Sequence, residues 1–403
     1  MNIEAVKNEV NSVNPQTIYS FYDSDTLLGH LVVYSDVNGT YSGGVRIVPD
    51  ISRFELSHLA RNMTLKYAFL DIPYGGAKAA ITTHQKNITE ERKNDLIVRF
   101  AKHMIPFKGS YQAGKDLGTN DEEYKLMAQA AGFRYHPGFK SGFYTALSVL
   151  VTAQEIARHR NINFSNATVA IEGFGKVGSY MAKLLSEAKA KVVAVSTSRG
   201  ALYDPEGLDI NHLWQLRETY HDDCVNKYGD AQKISLADLL FLPVDFLVPC
   251  AASWSITRNN AHLIRAQVVV CGANIPVTDK AKEILLDNNV LYFPDFASNS
   301  GGVFGPMMER LYNSRDVAAM LLTQKITPII QHLFTRSKNN AMTLEQTAID
   351  MANENRRRIE NEEQTVKAKL FSFGLSVLRT GYVPETMTRI VGPVYFNWTT
   401  QKK

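Results

Sequence analysis

The sequence predicts an α/β protein with a doubly wound parallel sheet, on three observations. Between residues 143 and 305, short and nearly continuous apolar runs alternate with helical segments, which is typical of parallel strands covered on both faces. The first of these runs leads directly into the glycine-rich turn Gly173-Phe-Gly175-Lys-Val-Gly178, and a helical stretch follows that turn. The strands of this sheet are predicted at residues 167–172, 191–196, 244–249, 267–271 and 290–294.

Changes of pattern divide the chain into three zones. The first, residues 1–142, has a strand-like run at 27–34 and an amphipathic helix at 55–69. The second, residues 143–305, is the doubly wound domain. The third, residues 306–403, is mostly helical and charged, and Thr343-Leu-Glu-Gln346 has the spacing of a capping box that begins a helix through Arg358. We expect the third zone to pack back on the first.

Composition excludes several classes of protein. With 45% hydrophobic and 21% charged residues, the 403-residue chain is typical of a folded globular protein. Its net charge of +4 is spread along the chain without a basic block, so we expect no nucleic-acid partner. The longest apolar stretch, residues 239–252, is too short to span a bilayer, and residues 1–10 lack the apolar core of a secretory signal. We therefore expect a cytoplasmic protein with no membrane partner.

The three cysteines, Cys224, Cys250 and Cys271, are far apart and lack the spacing of zinc ligands. We expect them to be reduced, and we predict no metal site.

The glycine-rich turn has the context that a dinucleotide site requires. Gly173 permits a tight turn, Gly175 allows the backbone to approach a pyrophosphate, and Gly178 allows close packing of helix on strand. The N-terminus of the following helix attracts phosphate charge. A purely structural turn is the alternative, but the strand before and the helix after favour a nucleotide site.

The second strand ends in Ser196-Thr197-Ser198-Arg199, without the carboxylate that usually meets the ribose of NAD. Small hydroxyl groups together with Arg199 could accept the additional phosphate of NADP. Equally, Arg199 could be a solvated loop residue. The sequence therefore leaves NAD and NADP both open as cofactors.

Lys66 and Lys78 flank a glycine-rich segment in which Gly75 and Gly76 come shortly before Lys78. A lysine confined by a tight turn and partly desolvated has a lowered pKa, which suits acid–base chemistry. The alternative is a surface lysine after a turn, and local spacing alone favours it. Asp116 is a functional carboxylate or a helix cap, and local spacing favours the cap.

Several segments, in order, resemble those of the glutamate, leucine, phenylalanine and valine dehydrogenases. The resemblance extends from about residue 27 to residue 302 and implies a two-domain amino-acid dehydrogenase fold: a Rossmann-like nucleotide domain, and an α/β substrate and oligomerisation domain of a homo-oligomer. The segments that carry it are Gly43-Gly44-Val-Arg46, Met63-Thr-Leu-Lys66, Pro73-Tyr-Gly-Gly-Ala-Lys78, Asp116-Leu-Gly-Thr119, Gly272-Ala-Asn274, Pro294-Asp295 and Asn299-Ser-Gly-Gly302.

The resemblance also implies roles for individual residues. Lys66 would bind the substrate α-carboxylate, Lys78 would polarise a water for attack on the iminium carbon, and Asp116 would move protons to and from the amino nitrogen. An L-amino acid, water and NAD(P)⁺ would then give a 2-oxo acid, ammonium and NAD(P)H, with hydride passing from the substrate Cα to the nicotinamide. The cofactor contacts expected on this basis are Gly173, Phe174, Gly175, Lys176, Val177, Gly178, Thr197, Arg199, Thr145, Ala251 and Asn274.

The expected substrate-lining residues are Lys66, Gly44, Ser42, Asn299 and Pro306. Glutamate-specific relatives carry a lysine at the position of Ser42 and a serine at that of Pro306. Burying a substrate carboxylate without a cationic partner is costly, so we expect a neutral aliphatic or aromatic amino acid. Chain length and residues 198–207 look more like the glutamate branch, which keeps a glutamate dehydrogenase open.

Two further alternatives are a non-catalytic relative that binds nucleotide and a hydroxy-acid dehydrogenase. Retention of Lys66, Lys78 and Asp116 argues against the first. Against the second, no histidine of this chain lies in a motif suited to catalysis.

Overall fold

The computed structural model describes residues 6–133, 135 and 140–362, which form two compact units. The substrate unit contains residues 12–133, 135, 309–314 and 351–362, and the nucleotide unit contains residues 6–11, 140–308 and 315–350. The division at residue 140 lies close to the predicted boundary. The third zone is divided differently from the prediction, because most of its described helical residues group with the nucleotide unit.

The substrate unit has a five-stranded sheet of order β1-β2-β4-β3-β5. Strands β1, β2 and β4 pair antiparallel, whereas β3 pairs parallel with both β4 and β5. The strands are β1 (Thr17–Asp23), β2 (Thr26–Val33), β3 (Tyr41–Val48), β4 (Gly75–Thr82) and β5 (Tyr111–Lys115). The helices are α1 (Arg53–Phe69), α2 (Glu90–Met104) and α3 (Asp121–Ala131), and a 3₁₀ turn spans Ile105–Phe107.

Alternation along β3 and β4 separates an apolar face from a polar one. Val45 and Ile47 of β3 and Ala77, Ala79 and Ile81 of β4 belong to the apolar core that includes residues of α2. The intervening residues must lie on the opposite face of the sheet, because successive side chains of a strand point to opposite sides.

Helix α1 packs on this opposite face. A Cβ at Gly76 would lie 2.2 Å from the backbone nitrogen of Thr64 and 2.6 Å from the carbonyl oxygen of Ala60, both on α1. The sequence pattern therefore places Gly44, Arg46 and Lys78 on the face that α1 covers.

The nucleotide unit has a seven-stranded sheet of order β12-β11-β10-β6-β7-β8-β9. Its strands are β6 (Thr168–Glu172), β7 (Lys191–Thr197), β8 (Gly200–Tyr203), β9 (Gln232–Ile234), β10 (Phe246–Pro249), β11 (Val268–Val270) and β12 (Leu291–Phe293). Its longer helices are α4 (Ser141–Arg160), α5 (Lys176–Glu187), α6 (Ile210–Tyr220), α10 (Asp279–Asp287) and α13 (Arg315–Asn340). Helices α12 (Gly301–Tyr312) and α14 (Leu344–Glu362) have residues in both units. The short helices are α7 (Cys224–Lys227), α8 (Leu236–Leu240), α9 (Arg258–Ala261) and α11 (Asp295–Ser298), with 3₁₀ turns at Phe164–Asn166 and His221–Asp223.

The predicted parallel sheet is confirmed for its five strands β12, β11, β10, β6 and β7. Two antiparallel strands, β8 and β9, extend its edge and were not predicted, since β9 is mostly polar and β8 follows β7 after only two residues. The chain order reverses between β6 and β10. In doubly wound sheets the carboxyl ends of the strands at such a reversal form the ligand crevice.

Side-chain contacts explain how the third zone is divided. Within the nucleotide unit, α13 packs on α4, with Gln331 donating to Glu155 at 3.1 Å and Phe334 stacked on His159. The part of α14 in the substrate unit contacts the end of α1, since Asn355 donates to the carbonyl oxygen of Ala68 at 3.0 Å. Residues 363–403 of the predicted third zone lie outside the described residues.

Helix α14 begins as predicted, with a partial capping box. The Thr343 hydroxyl accepts from the Gln346 backbone at 3.1 Å, but the Gln346 side chain donates to Asp350. Among the described helices, none combines the length and the apolar character needed to cross a bilayer.

Candidate active site

A buried cluster of charged side chains lies on the polar face of the substrate unit. Lys78 of β4 is 3% exposed, and its Nζ lies 2.8 Å from Oδ2 of Asp116. The same Asp116 oxygen accepts from Nε of Arg46 at 2.5 Å, and Arg46 also bonds Glu55 of α1 at 2.8 Å. Asp116 therefore lies between two cations.

The turn after β5 holds Asp116 in place. Gly118 has φ +76°, a conformation that favours glycine. A Cβ there would lie 2.1 Å from the carbonyl oxygen of Ile47 in β3. The backbone nitrogen of Ile47 donates to the Leu117 carbonyl at 3.0 Å, and the Thr119 hydroxyl donates to the Val45 carbonyl at 2.6 Å. These hydrogen bonds hold the Asp-x-Gly-Thr segment, residues 116–119, against β3.

The interpretation of Asp116 as a helix cap is wrong. Asn120 caps α3 in a reciprocal capping box with Glu123, so the cap is supplied four residues later. Asp116 is left to interact with Lys78 and Arg46.

Lys78 lies within β4, so both predicted locations, a tight turn and the surface, are wrong, whereas the predicted desolvation of its ammonium is confirmed. Burial lowers the pKa of its ammonium below the ordinary value of 10.5, and Arg46 also lowers it, whereas Asp116 opposes both. Burial raises the pKa of Asp116, but Lys78 and Arg46 outweigh burial and hold it below its ordinary value.

Gly44 leaves no space for a side chain beside this pair. A Cβ at Gly44 would lie 2.8 Å from Cβ of Asp116 and 3.3 Å from Nζ of Lys78. Any larger residue would therefore press on both groups, which explains the second glycine of Gly43-Gly44.

The other two predicted substrate-lining residues of this unit are also buried. Lys66 is 5% exposed in the last turn of α1. Ser42 is 9% exposed on β3, and its hydroxyl donates to the Gln112 carbonyl of β5 at 3.0 Å. Position 42 therefore brings a hydroxyl group and no positive charge.

In the nucleotide unit, the turn between β6 and α5 fits a dinucleotide pyrophosphate. Gly173 has φ +92°, and Gly175 is the N-cap of α5 without a side-chain cap. A Cβ at Gly175 would meet nothing within 4 Å, so the helix N-terminus is open to a ligand. A Cβ at Gly178 would lie 1.9 Å from the Gly173 carbonyl, which is the close packing that the third glycine allows.

The remaining predicted cofactor residues lie in the same unit. Phe174 is buried within the turn, and Lys176 and Val177 begin α5. Ala251 follows β10 at the point where the strand order reverses, and a Cβ at Gly173 would lie 2.9 Å from it. Thr197 ends β7 and accepts from the backbone nitrogen of Arg199 at 3.1 Å, and Thr145 lies on α4.

Asn299 and Pro306, predicted to line the substrate, belong to the nucleotide unit. Asn299 is 1% exposed and donates to the Ala273 carbonyl at 2.8 Å and to Oδ1 of Asn274 at 3.4 Å. Within the described residues its buried Oδ1 has no hydrogen-bond partner. Pro306 lies inside α12. In the part of the chain that the structure describes, no cluster of residues has the arrangement of a metal site.

Sequence reasoning missed four residues at these two sites. Arg46 could have been predicted, because it belongs to the Gly-Gly-x-Arg segment that carries the resemblance. Its partner Glu55 lies in none of the quoted motifs and could not. Glu172 comes directly before Gly173, and Asp222 reaches β7 from 24 residues beyond Ser198.

The buried carboxyl group of Glu172 is expected to make the free energy of unfolding depend on pH. Burial raises the pKa of Glu172 from 4.5 to about 7, although its carboxylate accepts a hydrogen bond from Ser255 at 2.9 Å. The folded chain keeps a proton that the unfolded chain releases between these two values, so stability falls as the pH rises through this window. We expect Glu172→Gln to raise the free energy of unfolding by up to ~3 kcal/mol at pH 8 and to leave it unchanged near pH 4.

Urea unfolding at the two pH values measures this effect. Glu206→Gln is the matched control, since the Glu206 side chain is 88% exposed. An equal change in both variants at pH 8 would contradict the role of burial at Glu172.

Two family models match the chain. Residues 18–133 match the model described as "Glu/Leu/Phe/Val dehydrogenase, dimerisation domain". Residues 142–362 match "Glutamate/Leucine/Phenylalanine/Valine dehydrogenase". The two matches cover most of both described units.

The chain is also similar to curated proteins. It is 33% identical over 307 residues to the NAD-specific glutamate dehydrogenase of Staphylococcus aureus, covering 72% of this chain and 73% of that protein. It is 31% identical over 357 residues to the glutamate dehydrogenase of Aeropyrum pernix, covering 81% of this chain and 83% of that protein.

Solved structures share the fold. The hetero-hexameric glutamate dehydrogenase of Thermus thermophilus matches with a TM-score of 0.75 at 22% identity, covering 89% of this chain and 94% of that chain. The L-tryptophan dehydrogenase of Nostoc punctiforme matches with a TM-score of 0.61 at 19% identity, covering 90% of this chain and all of that chain. The predicted family and two-domain fold are confirmed: this chain belongs to the glutamate/leucine/phenylalanine/valine dehydrogenase family of NAD(P)-dependent amino-acid dehydrogenases.

Proposed function

We propose that the chain catalyses the oxidative deamination of an L-amino acid, and the reverse amination, with Lys78 and Asp116 as catalytic residues and Lys66 as the ligand of the substrate α-carboxylate. The observation that carries this proposal is the buried Lys78–Asp116 pair beside Gly44. When bound, NAD⁺ or NADP⁺ accepts the hydride that leaves the substrate Cα.

The two residues have complementary acid–base properties. The lowered pKa of Lys78 increases the neutral fraction of its amine, which can then accept a proton from a water that attacks the iminium carbon. Asp116 stays ionised, since its pKa lies below the ordinary value, and accepts hydrogen bonds from the substrate amino group. Their 2.8 Å separation allows a proton to pass between them.

For the substrate, glutamate is our first candidate, because the relatives at 31–33% identity are named glutamate dehydrogenases. These names oppose the expectation of a neutral amino acid from the sequence. A neutral substrate is the second candidate, because Ser42 and Pro306 supply no positive charge at the positions that resemble the glutamate-binding ones.

Steady-state kinetics with glutamate, leucine, valine and phenylalanine distinguish the two candidates. We expect glutamate to have the highest kcat/KM. We also expect Ser42→Lys to lower its KM at least about tenfold, since a hydrogen bond between charged groups is stronger than one from a hydroxyl. Ser42→Met, a side chain of similar length without charge, should not lower this KM. A higher kcat/KM for leucine, valine or phenylalanine in the unmodified protein would establish the second candidate instead.

We also propose that the protein is a homo-oligomer. The match of residues 18–133 to a dimerisation domain supports this proposal, and the hetero-hexameric assembly named for the Thermus thermophilus relative shows that this fold occurs in oligomers. Light scattering of the purified protein should give a mass of at least twice 45.1 kDa, and a monomeric mass would contradict it.

A further inference from the structure

Three consecutive residues at the end of β7 make different contacts. Ser196 contacts the glycine-rich turn, since its hydroxyl accepts from the Gly173 backbone at 3.0 Å and its carbonyl accepts from the Phe174 backbone at 2.5 Å. Thr197 and Ser198 instead contact a segment that follows α6. The Thr197 hydroxyl donates to the Asp222 carbonyl at 2.6 Å, and the Ser198 hydroxyl donates to Oδ2 of Asp222 at 2.7 Å.

These contacts place a carboxylate at the end of the second strand of the nucleotide fold. The sequence has none within Ser196–Arg199, and an aspartate or glutamate at this place is what meets the ribose hydroxyls of NAD in such folds. The chain returns here because α6 ends at Tyr220, and its C-cap His221 has φ +50° and ψ −126°, which turns the backbone back toward β7. Asp222 follows immediately and is exposed.

We propose that Asp222 determines cofactor choice, favouring NAD over NADP, as the carboxylate that the sequence of β7 lacks. This inference rests on the proposed dinucleotide site. An ionised carboxylate accepts hydrogen bonds through both of its oxygens, so Asp222 can accept one from Ser198 and another from a ribose 2′-hydroxyl. A 2′-phosphate carries negative charge and would be repelled by the same group.

Two arginines in this region would attract the 2′-phosphate of NADP and would therefore oppose the effect of Asp222. Arg199 is exposed next to Ser198. Arg217 of α6 donates to the Phe174 carbonyl at 2.9 Å and lies 3.9 Å from Glu218. Arg199 contacts the end of β7 through its backbone nitrogen, which donates to the Thr197 hydroxyl, whereas Asp222 is bonded there through both its backbone carbonyl and its side-chain carboxylate. The proposal therefore requires the carboxylate that these bonds hold in place, rather than either arginine, to face the ribose.

The test measures nucleotide binding, which does not depend on turnover. We expect the unmodified protein to bind NADH more tightly than NADPH in fluorescence titrations. Asp222→Asn should weaken NADH binding about tenfold and strengthen NADPH binding by a similar factor, since it removes one charge-assisted hydrogen bond and one repulsion. Asp223→Asn is the matched control, because Asp223 bonds Asn226 at 2.7 Å and makes no such contact with β7 among the described residues. It should leave both affinities unchanged.

The outcomes separate this inference from the proposed function. If the unmodified protein binds NADPH more tightly, or if Asp222→Asn leaves the ratio of affinities unchanged, the assignment of Asp222 is wrong while the dinucleotide site stands. If the unmodified protein binds neither nucleotide, the site itself is wrong and the inference is overturned with it. Thermal unfolding of both variants shows that folding is intact, as expected for an exposed aspartate.

Discussion

Replacing Lys78 with methionine is expected to reduce amino-acid turnover by at least about 10³-fold while the fold and nucleotide binding persist. Methionine keeps most of the length of the side chain inside β4 but cannot exchange a proton. The fold should persist because Asp116 keeps its bond to Arg46, and Arg46 keeps its bond to Glu55, so no buried charge loses all its partners. Turnover and NADH binding are measured on the same preparation.

The pH profile of the unmodified protein gives an independent check on Lys78. The general base must be neutral, so kcat/KM should rise with pH through a group whose pKa lies below the ordinary 10.5 of lysine.

The control for Lys78→Met is Lys102→Met, at an exposed position of α2, which should have the turnover of the unmodified protein. Retention of more than about a tenth of the turnover in Lys78→Met would contradict a catalytic role.

Replacing Asp116 with asparagine is expected to reduce both turnover and stability. The substitution removes the negative charge shared by Lys78 and Arg46 and leaves two buried cations close together, and breaking such a pair costs about 3–5 kcal/mol. Because the pKa of Asp116 is lowered in the folded chain, its stabilisation is present above its ordinary pKa and is lost as the pH falls through the folded value. The difference from the unmodified protein should therefore be large at pH 7 and smaller in acid.

A double substitution separates the charge effect from other effects of Asp116→Asn. In Lys78→Met with Asp116→Asn, one of the two cations is also removed, so the loss of unfolding free energy should be smaller than in Asp116→Asn alone. Urea unfolding of the two single variants and the double variant measures this coupling. An equal or greater loss in the double variant would show that the ion pair is not what stabilises this part of the sheet.

The sequence predicted those features of the fold that depend on local pattern. Apolar runs predicted the five parallel strands, and the glycine-rich turn located the step from β6 to α5, because both depend on residues that are adjacent in the chain. Strands β8 and β9 were missed, because β8 follows β7 after only two residues and β9 has two polar, exposed residues out of three. The division of the C-terminal zone was missed because packing of α13 on α4 decides it.

The same limit applies to the candidate active site. Gly44, Lys78 and Asp116 were found through short motifs, yet their local interpretations as a turn lysine and a helix cap were wrong. Only the pairing of β3 with β4 and β5 brings Arg46 and Asp116 to Lys78. Asp222 lies 24 residues beyond Ser198 and had no signal in the sequence, because the contact depends on how α6 ends.

The most direct test of an amino-acid dehydrogenase that depends on Lys78 is the quantification of its products. The purified full chain is incubated with NAD⁺ or NADP⁺ and each of glutamate, leucine, valine and phenylalanine, and ammonium, 2-oxo acid and reduced nucleotide are measured together. We expect the three products in equal amounts with at least one amino acid, and none of them with Lys78→Met. Binding of reduced nucleotide without any ammonium release, or equal product formation by Lys78→Met, would contradict the proposed function.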